Sequence, residues 1–302
     1  MTIVYQSQVS FSSIIVIESL DSESQRTGTD LFETTIAPAA DAHGMLAELY
    51  RIKTAREFIA VLKHVSALAR AGHAPIVHFE MHGDEEGLQL ASLEMIQLAE
   101  LALLLTEINQ ACAMNLLVVA AACNGWYLGS VLHPIDRAPM WGVIGPPATQ
   151  RAGNLYAAMR VFYDRLLSDF DLVTALRSMN GNRSVDEWDY DLTSAELLFC
   201  RVFQYYMDST IHDESPAQRL NRLVAEAARH RTLDVNATMM LREELRSKLA
   251  DHKFWFEHYR KTFLMLDLFP NNAGRFQFSF ERCIESAERR ATARSSDSSL
   301  AS

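Results

Sequence analysis

A cysteine and a histidine, each placed directly after a predicted β-strand, are the residues best suited to carry out chemistry. Residues 116–125 open with a Val-rich apolar run that predicts a buried strand, and Cys123 lies on the small-residue turn after it. Residues 75–81 predict a second strand, which ends at His82. If these strands are parallel neighbours, both side chains end at the same edge of the sheet. A thiol and an imidazole within reach of each other are the minimum that nucleophilic cysteine chemistry requires.

Glycines accompany both residues. Gly83 follows His82 directly, and Gly125 comes two residues after Cys123. Because glycine has no Cβ, the backbone N–H groups at such turns can approach a substrate oxygen closely.

The two motifs resemble those of the caspase-like cysteine peptidases and are most similar to their bacterial relatives, the CHAT-type peptidases. They read His-Gly-Asp-Glu-Glu-Gly at 82–87 and Ala-Ala-Cys-Asn-Gly at 121–125. The caspase histidine lies roughly 50 residues before the cysteine, and here the separation is 41. Ala121 stands where caspases carry Gln, and Asn124 stands at a position that is often basic in them. These departures bear on substrate preference more than on the chemistry.

The resemblance implies a cysteine endopeptidase that needs no cofactor and no metal. Cys123 would attack the scissile carbonyl, His82 would manage the proton, and the backbone N–H groups of Gly83 and Cys123 would bind the oxyanion. Arg26 resembles the caspase arginine that lines a pocket for an acidic substrate side chain, since residues 26–30 read Arg-Thr-Gly-Thr-Asp. CHAT-type peptidases often serve bacterial antiviral or cell-death systems, so the expected partner is one protein substrate, such as a pore-forming precursor.

Several alternatives stay open. Arg26 is equally well interpreted as a solvated loop residue, and the acidic run 84–86 would attract a basic substrate side chain if it faced the pocket. His78 is expected to be a packed core residue. The alternative function is a catalytically inactive caspase-fold interaction scaffold. Loss of Cys123 or His82 would favour that function, and both residues are present.

Composition narrows the class of protein. The 302 residues are 49% hydrophobic with a net charge of −10, and no basic stripe is present, which argues against nucleic acid or an anionic membrane as the partner. The four cysteines are widely spaced, so neither a zinc site nor a disulfide framework is indicated. No signal peptide and no apolar run of about 18 residues are evident, so the prediction is a cytoplasmic protein.

The hydrophobic pattern predicts an α/β fold in residues 1–182, with a caspase-like, mostly parallel sheet flanked by helices. Strands are predicted at 13–18, 75–81, 116–121 and 141–144. Helices are predicted over 45–71, from an N-cap at Ser92 to about 113, and at 154–167 and 172–179.

Beyond residue 180 the strands are expected to stop. Residues 180–191 are predicted to be a linker, and 190–288 an α-helical domain with a regulatory or docking role. Its helices are predicted near 194–210, 216–229, 236–250, 252–267 and 276–288. Residues 289–302, rich in Ser and Ala, are predicted to be a disordered tail.

Overall fold

The computed structural model describes residues 9–21, 24–84, 86–122, 128, 136–181, 189–212, 216–230 and 234–285. The chain divides into two compact units, one of Ser7–Ala195 and one that contains Glu196 and the residues after it. The first unit is built around a mostly parallel sheet flanked by helices, and the second is helical. The predicted α/β fold class, a mostly parallel sheet flanked by helices and followed by a helical C-terminal region, is confirmed. No helix in the described ranges is long and apolar enough to cross a membrane.

Within the described residues, eight strands form the sheet of the first unit. They are β1 (Ser13–Ser19), β2 (Leu46–Arg51), β3 (Pro75–Gly83), β4 (Gly87–Gln89), β5 (Met95–Gln97), β6 (Leu117–Ala121), β7 (Gly142–Gly145) and β8 (Asp191–Ser194). The order across the main sheet is β2-β1-β3-β6-β7-β8, and only β8 runs antiparallel to its neighbour. Every residue of β1 and β6 is buried, as expected for strands covered on both faces.

Helices cover both faces of this sheet. They are α1 (Thr27–Leu31), a π-helix (Phe32–Ile36), α2 (Ala37–Ala42), α3 (Ala55–Arg70), α4 (Leu98–Ala111), α5 (Ala152–Asp169) and α6 (Leu172–Met179). A capping box defines the start of α3, where Thr54 accepts a hydrogen bond from the Glu57 amide and the Glu57 carboxylate accepts one from the Thr54 amide. This box fixes the short connection between β2 and α3.

The second unit has its own aromatic core. Its helices are α7 (Ala195–His212), α8 (Pro216–His230), α9 (Val235–Ala250), α10 (His252–Phe263) and a 3₁₀ helix (Pro270–Arg275). Phe199 and Phe203 of α7 lie 5.5 and 4.9 Å from the ring centre of Phe256 in α10. Such contacts between aromatic rings stabilise the packing of the helices beyond the burial of apolar surface.

Three sequence-based expectations are wrong. The segment expected to begin a helix at 45 forms β2, an edge strand that pairs with β1 and is only half-buried, so its apolar residues do not form a continuous run. The N-cap expected at Ser92 lies in a turn before β5, and α4 begins at Leu98 after a short hairpin. Strands do not stop at 180, because β8 pairs with β7.

Two further predictions, the linker over 180–191 and the tail over 289–302, lie mostly or wholly outside the described residues. The proposed division of the chain at 182–190 stays a prediction. Along the chain, the boundary between the two compact units falls between Ala195 and Glu196.

Candidate active site

The central strands of the sheet end together at its carboxyl edge. β3 pairs with β1 on one side and with β6 on the other, and both pairs are parallel. In this register Glu80 is level with Glu18 of β1 and with Ala121 of β6. His82 comes two residues after Glu80, and Ala122 is the last described residue before Cys123. Cys123 itself lies outside the described residues.

His82 presents its imidazole at this edge. Its side chain is 55% exposed, and its Nε2 lies 3.9 Å from the Asp21 Oδ2 in the segment after β1. That distance is too long for a hydrogen bond, and a half-exposed pair of this kind contributes little to stability. The imidazole is therefore accessible to a ligand at the sheet edge.

The turn after His82 has a defined structure. The Asp84 amide donates to the Gly87 carbonyl, and the Asp84 carboxylate accepts hydrogen bonds from the Glu86 and Gly87 amides at 2.8 and 3.1 Å. A Cβ at Gly87 would overlap the Ile96 carbonyl oxygen of β5, so glycine is required there. Asp84 thus organises the turn with its carboxylate, which argues against this residue as the selector of a basic substrate side chain. Glu85 lies outside the described residues.

Beneath the edge lie two buried carboxylates that the sequence analysis missed. Glu18 and Glu80 are partners in the β1–β3 register, and both are buried. The start of α1 satisfies both of them. Thr29 donates its amide and its hydroxyl to Glu18, each at 2.9 Å, and the Thr27 hydroxyl donates to Glu80 at 2.6 Å. These bonds fasten α1 onto the ends of the two strands.

Gly28 allows this close approach. A Cβ at this position would stand 2.9 Å from the Cβ and Cγ of Glu80 and 3.1 Å from the Glu18 Oε1. The run 26–30 therefore enters α1 at Thr27 and packs directly on the strands. The physical role of Thr-Gly-Thr is to seat the helix on two buried carboxylates.

The buried network continues inward from Glu80 to helix α5. His78 Nε2 lies 3.0 Å from the Glu80 Oε2, and its Nδ1 lies 3.2 Å from the Tyr163 hydroxyl. Burial, with the charge of Glu80, raises the pKa of Tyr163 well above its ordinary value, so the phenol keeps its proton. It can then donate to Nδ1, which leaves the Nε2–H to donate to Glu80. His78 is indeed buried in the core, as expected, but through polar contacts.

Arg26 lies at the rim of the carboxyl edge. Its Nη1 donates to the Glu18 Oε2 at 3.2 Å, while 47% of its side chain remains exposed. It lines a cavity of about 490 Å³ together with Leu20, Arg51, Ile52 and Lys53. The structure therefore places Arg26 beside an open, cationic cavity.

The remaining cysteines differ in setting from an edge residue. Cys112, Cys200 and Cys283 are buried. A buried sulfur is not accessible to a peptide substrate, so these residues are poor candidates for a nucleophile. Among the described residues, no group of three or more His, Cys, Asp or Glu side chains is arranged to hold a metal ion.

No protein-family model matches the chain, and no curated protein matches it. Among solved structures, the complex of the pro- and mature domains of RgpB from Porphyromonas gingivalis is similar, with 11% sequence identity and a TM-score of 0.39. The match covers 63% of this chain and 50% of that chain. This chain therefore spans about half the length of that neighbour.

Proposed function

We propose that this protein is a cysteine endopeptidase of the caspase-like class, with Cys123 as nucleophile and His82 as general base. The observation that carries the proposal is the parallel pairing of β3 with β6. That pairing brings the end of the His82 strand beside the end of the strand that leads into Cys123. Cys123 follows buried Ala122 directly in the sequence.

The proposed reaction needs only these side chains and water. The Cys123 sulfur attacks the scissile carbonyl carbon as His82 takes up the thiol proton, and a tetrahedral oxyanion forms. Collapse of this intermediate breaks the C–N bond, and the imidazolium returns its proton to the leaving amine. Water, deprotonated by His82, then hydrolyses the thioester and regenerates the thiol.

Gly83 is proposed to donate to the oxyanion together with the Cys123 amide. The bond from the Asp84 amide to the Gly87 carbonyl supports this role. Hydrogen-bonded and non-hydrogen-bonded pairs alternate in an antiparallel ladder, so the Gly83–Leu88 pair next to it is of the non-hydrogen-bonded type. The Gly83 amide is therefore directed away from β4, where a substrate oxygen can meet it.

We further propose that Arg26 selects an acidic substrate side chain. One of its N–H groups is committed to Glu18, and the half-exposed guanidinium borders the cavity. A carboxylate placed there would gain a charge-assisted hydrogen bond.

In keeping with the motif resemblance, the proposed substrate is a single protein in the cytoplasm, such as a pore-forming precursor of an antiviral or cell-death system. The helical unit is proposed to bind this substrate or to regulate the peptidase activity.

A proteome-derived peptide library, analysed by mass spectrometry after incubation, tests the activity and the specificity together. The wild-type protein is expected to cleave a subset of peptides after acidic residues. Cys123→Ala is expected to cleave none of them, because the attacking sulfur is gone. Arg26→Ala is expected to cleave with a reduced preference for acidic residues.

Each outcome of the library experiment is informative. Cleavage by Cys123→Ala at the wild-type rate would rule out the proposed nucleophile. An acidic preference that survives in Arg26→Ala, or a preference for basic residues, would overturn the proposed role of Arg26. Cys112→Ala serves as the matched control, since Cys112 is buried and lies away from the carboxyl edge at the end of α4.

A further inference from the structure

Three cationic side chains line one cavity, although the chain as a whole is acidic. The sequence contains 38 acidic and 28 basic residues. The cavity at the carboxyl ends of β1 and β2 is nevertheless lined by Arg26, Arg51 and Lys53, with Leu20 and Ile52 as its apolar part. A ligand complementary to this lining carries negative charge next to a small apolar group.

The two guanidinium groups are held in place before any ligand arrives. Arg26 donates to buried Glu18, and the Arg51 Nε donates to the Thr29 hydroxyl at 2.9 Å. The Arg51 Nη2 also donates to exposed Glu33 at 3.3 Å. Each guanidinium has five N–H donors, so these bonds leave others for a ligand. Side chains that are already fixed lose little conformational entropy on binding.

The backbone around Lys53 is equally well fixed. Its amide donates to the Glu57 carboxylate at 2.7 Å, and its carbonyl accepts from the Ser92 amide at 3.0 Å. Lys53 forms no direct ion pair among the described residues, although its charge acts on the nearby Glu57 carboxylate. Ile52 beside it donates its amide to the Glu18 carbonyl.

We infer that this cavity binds a small organic dianion of the phosphate monoester class. Guanidinium groups match the geometry of phosphate oxygens, and an ammonium adds a point charge. A volume of about 490 Å³ also exceeds what a single carboxylate side chain would fill. The anion is expected between Arg26, Arg51 and Lys53, and its organic group against Leu20 and Ile52. The phosphate ligand would also compete with an acidic substrate side chain for Arg26. Only this last consequence rests on the proposed function.

Inorganic phosphate and phenyl phosphate are the probes of choice, titrated into the full-length chain at constant ionic strength maintained with chloride. Binding is measured by the shift in thermal unfolding temperature and, independently, by ³¹P line broadening. Both probes are expected to bind, and phenyl phosphate more tightly. Lys53→Gln is expected to weaken binding by about fivefold or more. Lys63→Gln, an exposed lysine of α3, is the matched control and is expected to bind like wild type.

The inference is overturned if neither measurement detects phosphate binding to the wild-type protein, or if Lys53→Gln binds as tightly as Lys63→Gln. Equal affinities for phosphate and phenyl phosphate would show that Leu20 and Ile52 do not bind the organic group. The proposed peptidase activity does not enter these measurements, because Cys123→Ala is expected to bind both probes with wild-type affinity. Failure of the catalytic proposal would therefore leave this result unchanged.

Discussion

Replacement of His82 with alanine is expected to lower kcat/KM for peptide cleavage by about 10²–10⁴-fold, the usual contribution of a general base. The imidazole lies at the carboxyl end of β3, exposed and without a close hydrogen bond to Asp21, so it is accessible to a thiol and a substrate. The substitution removes no buried contact, and the protein is expected to unfold at the wild-type denaturant concentration. The rate is measured on a peptide identified from the library.

His64→Ala is the matched control for this substitution. His64 is also an exposed histidine beside a carboxylate, with its Nε2 3.0 Å from the Glu48 Oε2, but it lies on α3. The His64→Ala variant is expected to cleave the peptide at the wild-type rate. If His82→Ala and His64→Ala cleaved the peptide equally fast, His82 would not be the general base.

The second large effect is expected on stability, from the buried carboxylate of Glu18. Glu18→Ala leaves the Thr29 amide, the Thr29 hydroxyl and one Arg26 N–H without their acceptor at the junction of β1 and α1. Loss of these bonds is expected to lower the free energy of unfolding by about 2–4 kcal/mol, since buried donors left without a partner are costly. Urea unfolding followed by circular dichroism measures the change.

Glu33→Gln provides the comparison for Glu18→Ala. Glu33 also pairs with an arginine, Arg51, at 3.3 Å, but its side chain is 63% exposed. Its loss is expected to change the free energy of unfolding by less than about 0.5 kcal/mol, as is usual for solvated ion pairs. Equal urea midpoints for the two variants would show that the bonds from α1 to Glu18 do not hold this junction together.

The strands and helices predicted well from the sequence are those with one strong local signal. An alternating pattern marked β3, a continuous apolar run marked β6, and helical periodicity marked α5 and α6. β2 was missed because an edge strand needs no continuous apolar run, and its Leu46, Leu49 and Tyr50 fit a helical period equally well. β8 was missed because Asp191–Ser194 is mostly polar and becomes a strand only by pairing with β7.

The same distinction between local and long-range signals applies to the candidate site. His82 could be placed from the end of its own strand, whereas the pairing of Glu18 with Glu80 requires the register of two strands that are distant in sequence. Arg51 and Lys53 could not be linked to Arg26 while the segment that carries Arg51 was interpreted as helix. Their convergence depends on β2 lying beside β1.

The measurement that tests the central proposal most directly is the rate at which iodoacetamide alkylates each cysteine at neutral pH, followed by peptide mapping with mass spectrometry. Alkylation requires exposure and thiolate character. Cys112, Cys200 and Cys283 are buried and are expected to react slowly in the native protein. Cys123 is expected to react fastest in the wild-type protein and in His64→Ala, and several-fold more slowly in His82→Ala. A Cys123 rate that is the same in His82→Ala as in the wild-type protein would contradict the proposed pair of nucleophile and base.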